Sequence, residues 1–530
     1  MQKKSISIIG WGIGWLATAV LMAKDGHDVS VYEKNECLWW RASIFSEKWY
    51  TFDMGPSWYL MPDLFEKFFN EIGENIHDHL DLAQLSPSYK VFYPWQEATS
   101  NTLPTGRQEQ QATSDHLSIS PSLHLSSINV YADIDRMADQ FEQMEVWSGQ
   151  KFRDFLKTSG EQYGIGMEFA LRNYDSLLDF LSRDVAIKGM KLNIITTIDK
   201  YVARFFKTPI IQKIMQYTTV FLGTAPSQTP AFYNIMSHVD FAMGVRYPQG
   251  WLHAIATALV NIGKKYGVQY YTDSEVIEVQ SNKGKVESMT IRSPFEKGVG
   301  GFDEKTITSD LFIVNADQAR FETEMLPVEL QTYTKKFWNK KTFAPSGFII
   351  YAGIDKELKN LEHHNLYFND NRDESFGAIY DRHVLADDPS IYICAPGKTD
   401  PNVAPVGKEN LFILVPITNG IDISEEEKKS YRDKIWKIVE EMTGENLIDH
   451  IEYERIFEIQ DFKDRYHARK GTALWLGHTM MQTASFRPNN YSKKLNNLFY
   501  VGHNTNPGIG VPMVIVSAML VKERIEEKMK

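Results

Sequence analysis

The stretch from Ser5 to Glu33 constrains this chain most. Ser5-Ile6-Ser7-Ile8-Ile9 is a short apolar run of the kind that forms a buried parallel strand. Gly10-Trp11-Gly12-Ile13-Gly14-Trp15 follows at once. Leu16 to Lys24 has helical spacing, with Leu16, Ala19, Val20 and Ala23 on one face, and Gly26 closes the helix. Val29-Ser30-Val31-Tyr32 predicts a second strand with Glu33 at its carboxyl end. This order places a dinucleotide pyrophosphate on a helix N-terminus and a ribose hydroxyl on the acid. Gly10 and Gly12 fill the first and third glycine places of that fingerprint, but Trp15 stands at the sixth. Glycine there lets the helix pack closely on the strand. Trp39-Trp40-Arg41 interrupts the region after the second strand in the same manner.

A chain of 530 residues buries a large core and holds more than one structural domain. With 43% hydrophobic and 24% charged residues it reads as globular. A net charge of −11 argues against nucleic acid as the main partner. The two cysteines, Cys37 and Cys394, predict a reducing compartment and no disulfide framework. The N-terminal apolar run is too short for a signal peptide. No stretch reaches the ~18 uninterrupted apolar residues of a spanning helix, which leaves peripheral membrane contact open.

Thr51 to Trp58 is rich in turn residues, and Pro62 to Ile72 reads as a helix. Gln96 to Ser127 is polar, without apolar periodicity, and reads as a solvated insertion. Asp133 to Thr224 is mostly helical in pattern. Within it, Ile194 to Leu222 carries an apolar stripe with Arg204, Lys207 and Lys213 interleaved. That stripe suits either a membrane interface or a helix–helix core. Val276 to Val279, Val286 to Ile291, Leu311 to Val314, Gly347 to Ile354 and Leu411 to Pro416 predict strands, and Ser424 to Met442 a helix. At the far end Leu498 to Val501 predicts a strand, Pro507 to Pro512 a second glycine turn, and Met513 to Lys528 a helix. A strand, glycine turn and helix here indicate a nucleotide-binding domain assembled from both termini.

Several stretches match one family. They include Tyr50-Thr51-Phe52-Asp53-Met54-Gly55-Pro56-Ser57-Trp58, Met236-Ser237-His238-Val239-Asp240, Tyr247-Pro248-Gln249-Gly250, Asn315-Ala316-Asp317 and His363-His364-Asn365-Leu366. Phe486-Arg487-Pro488 and Asn506-Pro507-Gly508-Ile509-Gly510-Val511-Pro512-Met513 match as well. In these the chain resembles the bacterial-type phytoene desaturases, carotenoid desaturases of the FAD-dependent amine-oxidase-like superfamily. The resemblance implies an α/β fold with a Rossmann-like FAD-binding domain built from both termini (1–95, 240–320 and 470–530). It implies a mixed-sheet and helical substrate domain (128–239 and 321–469), with 96–127 outside the likeness. It implies non-covalent FAD, with Gly10, Gly12 and Gly14 flanking the pyrophosphate, Glu33 on the adenosine ribose and Arg41 reaching the phosphates. Asp53, Met54, Gly55 and Pro56 would approach the flavin, and Gly502, Pro507, Gly508, Gly510 and Val511 would close over it. Val276, Asn315, Ala316 and Asp317 would lie beside the cofactor.

The implied reaction is desaturation of a hydrophobic C40 polyene precursor, phytoene towards lycopene or neurosporene, by hydride transfer to flavin. The implied location is cytoplasmic and peripheral, on the inner face of the cell membrane, with quinone or oxygen as electron acceptor. A carotenoid isomerase, a ketolase-like oxidase and a retinol saturase share the fold. No general base stands out: Asp53, Asp240, His238, His364 and His478 are candidates by position. Phe205, Phe206, Tyr217, Phe221, Phe232 and Tyr233 fall in the substrate half. No metal-ligand spacing is visible, and His363 and His364, adjacent on a strand, are expected to point apart.

Against the family pattern Trp15, Trp39, Trp40, Trp49, Trp251 and Trp475 stand where glycine is expected, and Trp11 and Trp147 are further cases. Trp58 belongs to the pattern. The expectation is a gene in which UGA encodes glycine and was read as tryptophan. The rival expectation is a cofactor-free membrane-surface protein in which the indoles are real.

Overall fold

The computed structural model describes residues 2–10, 12–36, 43–94, 125–174, 196–294, 302–369, 372–483 and 486–529. Trp11, Trp39, Trp40 and Arg41 lie outside them, as does 96–124. Strands are numbered along the chain. A five-stranded sheet has the order β19 (Leu498–Tyr500), β13 (Leu311–Val314), β1 (Ser5–Ile9), β2 (Asp28–Tyr32), β9 (Gln269–Tyr271), and every pairing is parallel. β1 sits in the centre because Ile6, Ile8 and Ile9 are buried on both faces. The strands come from the start, middle and end of the chain. Their carboxyl ends therefore gather Gly10, Glu33, Asn315 and Val501 along one edge. Helix α1 (Ile13–Lys24) covers the sheet and packs against two others, His253–Lys265 and Val511–Met529.

A seven-stranded mixed sheet has the order β18 (Ile451–Phe457), β14 (Ser346–Ile354), β17 (Glu409–Ile417), β16 (Ile391–Cys394), β15 (His364–Tyr367), β6 (Tyr89–Pro94), β7 (Leu125–Val130). β14 is buried along its whole length, and alternation divides its side chains between two cores. Phe348, Ile350, Ala352 and Ile354 meet Ile435, Trp436 and Val439 of the helix Glu425–Thr443. Ile349 and Tyr351 face the main core, which also holds the nucleotide-side helices. A three-stranded meander, β10 (Glu275–Asn282), β11 (Lys285–Pro294) and β12 (Phe302–Ile307), packs Val286, Met289 and Ile291 on Phe312, Val314 and Tyr500 of the parallel sheet. Two hairpin-like pairs complete the strands: β3 (Ile44–Glu47) with β4 (Tyr50–Asp53), and β5 (Leu82–Gln84) with β8 (Arg246–Pro248).

Two expectations change. Leu125, Ser126 and Ser127 belong to β7, paired antiparallel with β6, so the polar insertion ends before them. Ile198, Tyr201, Val202, Phe206, Ile210, Ile211, Ile214 and Met215 all lie in the main core. Burial on the helix faces next to neighbouring helices, and not a membrane, explains that stripe. Among the described residues, no helix is long and apolar enough to cross a membrane.

Asn497 joins the meander to the parallel sheet. Its Oδ1 accepts from Val286 N at 2.8 Å, its Nδ2 donates to Val286 O at 2.9 Å, and its carbonyl accepts from Phe312 N at 2.9 Å. The side chain is buried, so removing it strands a buried donor and a buried acceptor. Asn497→Ala is expected to lower stability by about 2–4 kcal/mol, read from denaturant unfolding. A change below about 0.5 kcal/mol would contradict this role.

Candidate functional site

β1 runs into Gly10, whose backbone is left-handed at φ +85°. A Cβ on Gly10 would stand 2.9 Å from the backbone N of Ala316, so only bare backbone fits. Gly12 precedes α1 without any side-chain cap, and a helix start of this kind presents unsatisfied N–H groups. Gly14 packs on Val514, where a Cβ would come to 3.1 Å. Glu33 leaves the end of β2 into a small cavity of about 70 Å³, also lined by Gly10, Val276, Asn315, Ala316 and Asp317. Glu33 accepts from Asn35 N at 2.9 Å, and burial pushes its carboxyl up to about 7. This is the arrangement expected around an adenosine diphosphate: bare backbone and a helix N-terminus for the phosphates, and a buried acid for the ribose. The cradle residues Gly10, Gly12, Gly14 and Glu33 fit the group.

A second cavity of about 1380 Å³ opens beside the first, and Asn315 lines both. Its nucleotide-side wall is Gly12, Gly14, Met54, Gly55, Pro56, Pro507, Gly510 and Val511. Its remaining wall is largely apolar and aromatic, with Trp58, Phe221, Phe232, Leu366, Phe412 and Phe486 among the lining residues. A single small-molecule site occupies roughly 300–1,000 Å³, so this volume exceeds what one ligand needs. Of the six aromatic residues noted in the substrate half, Tyr217, Phe221, Phe232 and Tyr233 line it. Phe205 and Phe206 do not: they pack into the main core.

The expected site residues not on a cavity wall support those that are. Asp53 Oδ1 accepts from Gly55 N at 2.9 Å and fixes the turn under Met54, and burial pushes its carboxyl up to about 7. Gly502 has left-handed backbone, donates to Ser517 Oγ at 3.0 Å, and would drive a Cβ to 2.7 Å from Asn315 Oδ1. Gly508 lies flat on the His478 ring, 2.5 Å from where its Cβ would be. Arg41 lies outside the described residues.

Arg487 and Tyr392 were not assigned roles from the sequence, and His478, a general-base candidate there, takes a structural one. Arg487 is fully enclosed and donates to Thr505 O at 3.1 Å and Gln482 O at 3.0 Å, clamping the loop before Pro507. The Phe-Arg-Pro triplet was its only signal. His478 Nε2 accepts from Ile509 N at 3.1 Å, so its ring proton sits at Nδ1, against Tyr233 OH, and burial pulls its pKa far down. Tyr392, on an unremarked strand, joins Ser57 Oγ at 2.5 Å and His364 Nδ1 at 2.8 Å.

His363 and His364 do not point apart. Only His364 lies in β15, and the two rings approach to 4.5 Å between centroids. With Cys394 they form a buried trio whose ligand atoms lie within 4.8 Å of one another. A tetrahedral zinc site needs about 3.3–3.8 Å between ligand atoms. His364 is already engaged with Tyr392 and stacked on Trp58 at 4.2 Å.

Residues 16–525 match the family model of flavin containing amine oxidoreductases. The chain belongs to that family. It is 40% identical over 529 residues to a carotenoid 3,4-desaturase of Haloarcula japonica, covering 99% of each chain. It is 28% identical over 529 residues to a zeta-carotene-forming phytoene desaturase of Myxococcus xanthus, covering 99% of this chain and 94% of the relative. This chain is therefore an FAD-dependent oxidoreductase of the carotenoid desaturase branch. Solved structures share the fold: an oxidoreductase of Methanosarcina mazei (TM-score 0.57, 16% identity, 98% and 100% of the chains covered) and a cyclohexylamine oxidase of Brevibacterium oxydans (TM-score 0.54, 11% identity, 100% of both).

Glu33, Asp53 and Asp240 are buried carboxyls pushed up to about 7 chiefly by desolvation. Below about pH 4 they are protonated in both the folded and unfolded chain. Between about 4 and 7 the unfolded carboxyls ionise while the folded ones hold their protons. Stability of the flavin-free protein is therefore expected to fall as pH rises from 4 to 7 and to level off above that. Asp240→Asn should flatten this slope in thermal melts. A slope unchanged by the substitution would contradict the assignment.

Proposed function

We propose that the desaturase acts on a C40 isoprenoid, phytoene or a partly desaturated derivative, by transfer of a hydride to flavin. The cavity of about 1380 Å³ carries this reading, because one space joins a nucleotide cradle to a long, largely apolar wall. Bound FAD would supply a two-electron acceptor, so that one hydride and one proton leave neighbouring carbons. The protein's part is to hold the chain of carbons straight, keep water out and take the proton. Trp58, Tyr217 and Phe221 present aromatic faces to the cavity, suited to positive charge developing on a polyene.

Asp240 is the group best placed to drain the proton. Its Oδ2 accepts from Tyr89 OH at 2.7 Å, and Tyr217, on the cavity wall, faces the same carboxyl. Its pKa of about 7 leaves it part ionised near neutrality. Asp53 is tied to Gly55, and His364 and His478 are held neutral by burial. Asp240 thus acts through Tyr217 and is a positioning residue. Asp240→Asn should lower kcat about 10²–10⁴-fold with little change in KM and remove the acidic limb of the pH profile near 7.

The 40% identical relative favours one refinement, that the 3,4 bond of an already conjugated carotenoid is the one formed. A gene encoding glycine at the eight tryptophan positions set out above should be expressed in cells that accumulate phytoene, and in parallel in cells that accumulate lycopene. Extracted pigment of longer-wavelength absorbance in the first cells indicates phytoene, and in the second alone a late, conjugated substrate. Unchanged pigment in both would contradict desaturation.

We further propose that the substrate enters from a membrane surface, with quinone or oxygen reoxidising the flavin. Met480 both lines the cavity and is exposed, and Met481 beside it is 63% exposed, which makes an apolar lip at the mouth. Met480→Glu with Met481→Glu should reduce flotation with lipid vesicles several-fold while the fold's melting point stays put. Equal flotation would remove the lip.

A further inference from the structure

The chain has twelve tryptophans, and eight lie in the described residues. Four of these eight have left-handed backbone: Trp49 at φ +73°, Trp147 at +68°, Trp251 at +72° and Trp475 at +61°. No described phenylalanine or tyrosine does, although the chain has 30 and 25 of them. The left-handed region is unfavourable to any Cβ and is populated chiefly by glycine. Bulk and aromaticity cannot draw tryptophan there and leave the other aromatics behind.

Each local setting points the same way. Lys48-Trp49 is the two-residue loop between β3 and β4, with both residues at positive φ. Such a turn takes glycine second, and the indole is 89% exposed. Trp147 is the residue before the helix Ser148–Ala170, caps nothing with its side chain, and is 72% exposed. Trp251 follows the left-handed Gly250 directly, and its Nε1 is buried without a hydrogen-bond partner. Trp338 and Trp436 behave as ordinary tryptophans. They keep right-handed backbone and donate from Nε1 to Tyr333 O at 3.1 Å and Glu454 Oε1 at 2.6 Å.

Trp475 bears on the cofactor. Its Nε1 donates to Asp317, which lines the small cavity, and its ring lies 3.9 Å from that of His503, which lines the large one. The indole is fully buried between them. An extended FAD needs both spaces as one trough.

We propose that positions 15, 49, 147, 251 and 475 are glycine in the functional protein, encoded by UGA that the source cell reads as glycine, and that an indole at 475 partitions the cofactor trough. The flavin part rests on the desaturase reading; the codon part does not.

The gene should carry UGA at these five codons and UGG at Trp58, Trp338 and Trp436. Tandem mass spectra of the protein isolated from its source cells should show glycine at 49, 147, 251 and 475. UGG at those four, or tryptophan in the native peptides, overturns the proposal. Two recombinant forms separate its parts: the chain with tryptophan at these positions, and the chain with glycine at all five and at 11, 39 and 40. The glycine form should melt higher by roughly 5–10 °C and copurify with FAD at a ratio roughly tenfold above the tryptophan form. Trp475→Gly alone should recover part of that flavin. Equal flavin in all three forms overturns the partition at 475. UGA codons with a stable but flavin-free glycine form would uphold the glycine assignment and sink the cofactor reading. Trp49→Gly, which removes an exposed indole only, controls for misfolding and should raise the melting point by itself.

Discussion

The nucleotide end rests on one close approach of backbone. Gly10, at the end of the central strand, lies against Ala316 at the end of its neighbour β13, with no room for a Cβ between them. That contact brings the carboxyl ends of the strands into one edge and leaves peptide groups, not side chains, facing the space where a diphosphate belongs. The same economy recurs at Gly14 on Val514 and Gly502 on Asn315. Gly14 joins the first segment to the last directly, while Gly10 and Gly502 join each of them to the middle of the chain at Ala316 and Asn315. The nucleotide end therefore forms only when the first, middle and last segments meet.

The second constraint is the double burial of β14. Because one face serves the core under Glu425–Thr443 and the other the main core, the seven-stranded sheet can form a rigid wall for a large apolar cavity. Three tyrosines lining the cavity each have a titratable side chain behind them: Tyr392 has His364, Tyr233 has His478 and Tyr217 has Asp240. Burial keeps both histidines neutral, which suits a hydrocarbon substrate.

Much of this was legible in the sequence. β1, β13 and β14 are continuous apolar runs bounded by glycine or polar residues, and Pro62–Ile72 begins with proline and ends at Gly73. The cradle residues Gly10, Glu33 and Asn315 follow from strand ends, so they were visible by position. Three things were not. The stripe from Ile198 to Met215 has the same periodicity whether it meets a core or a membrane. The meeting of His363 and His364 depends on where β15 begins, one residue later than adjacency suggests. Tyr392 sits in a strand with no motif, and its role comes only from Ser57 and His364, hundreds of residues and one strand away respectively. The tryptophans were visible as misfits by spacing, while their backbone angles had to come from the structure.

The most direct measurement replaces Gly10 in the glycine form of the protein. Gly10→Val puts two methyl groups where a single Cβ would already stand 2.9 Å from Ala316 N. The expected result is a protein that folds but retains little flavin, with its visible absorbance lost relative to the parent. Full flavin content in a folded Gly10→Val protein would show that the bare backbone at this strand end does not hold the cofactor.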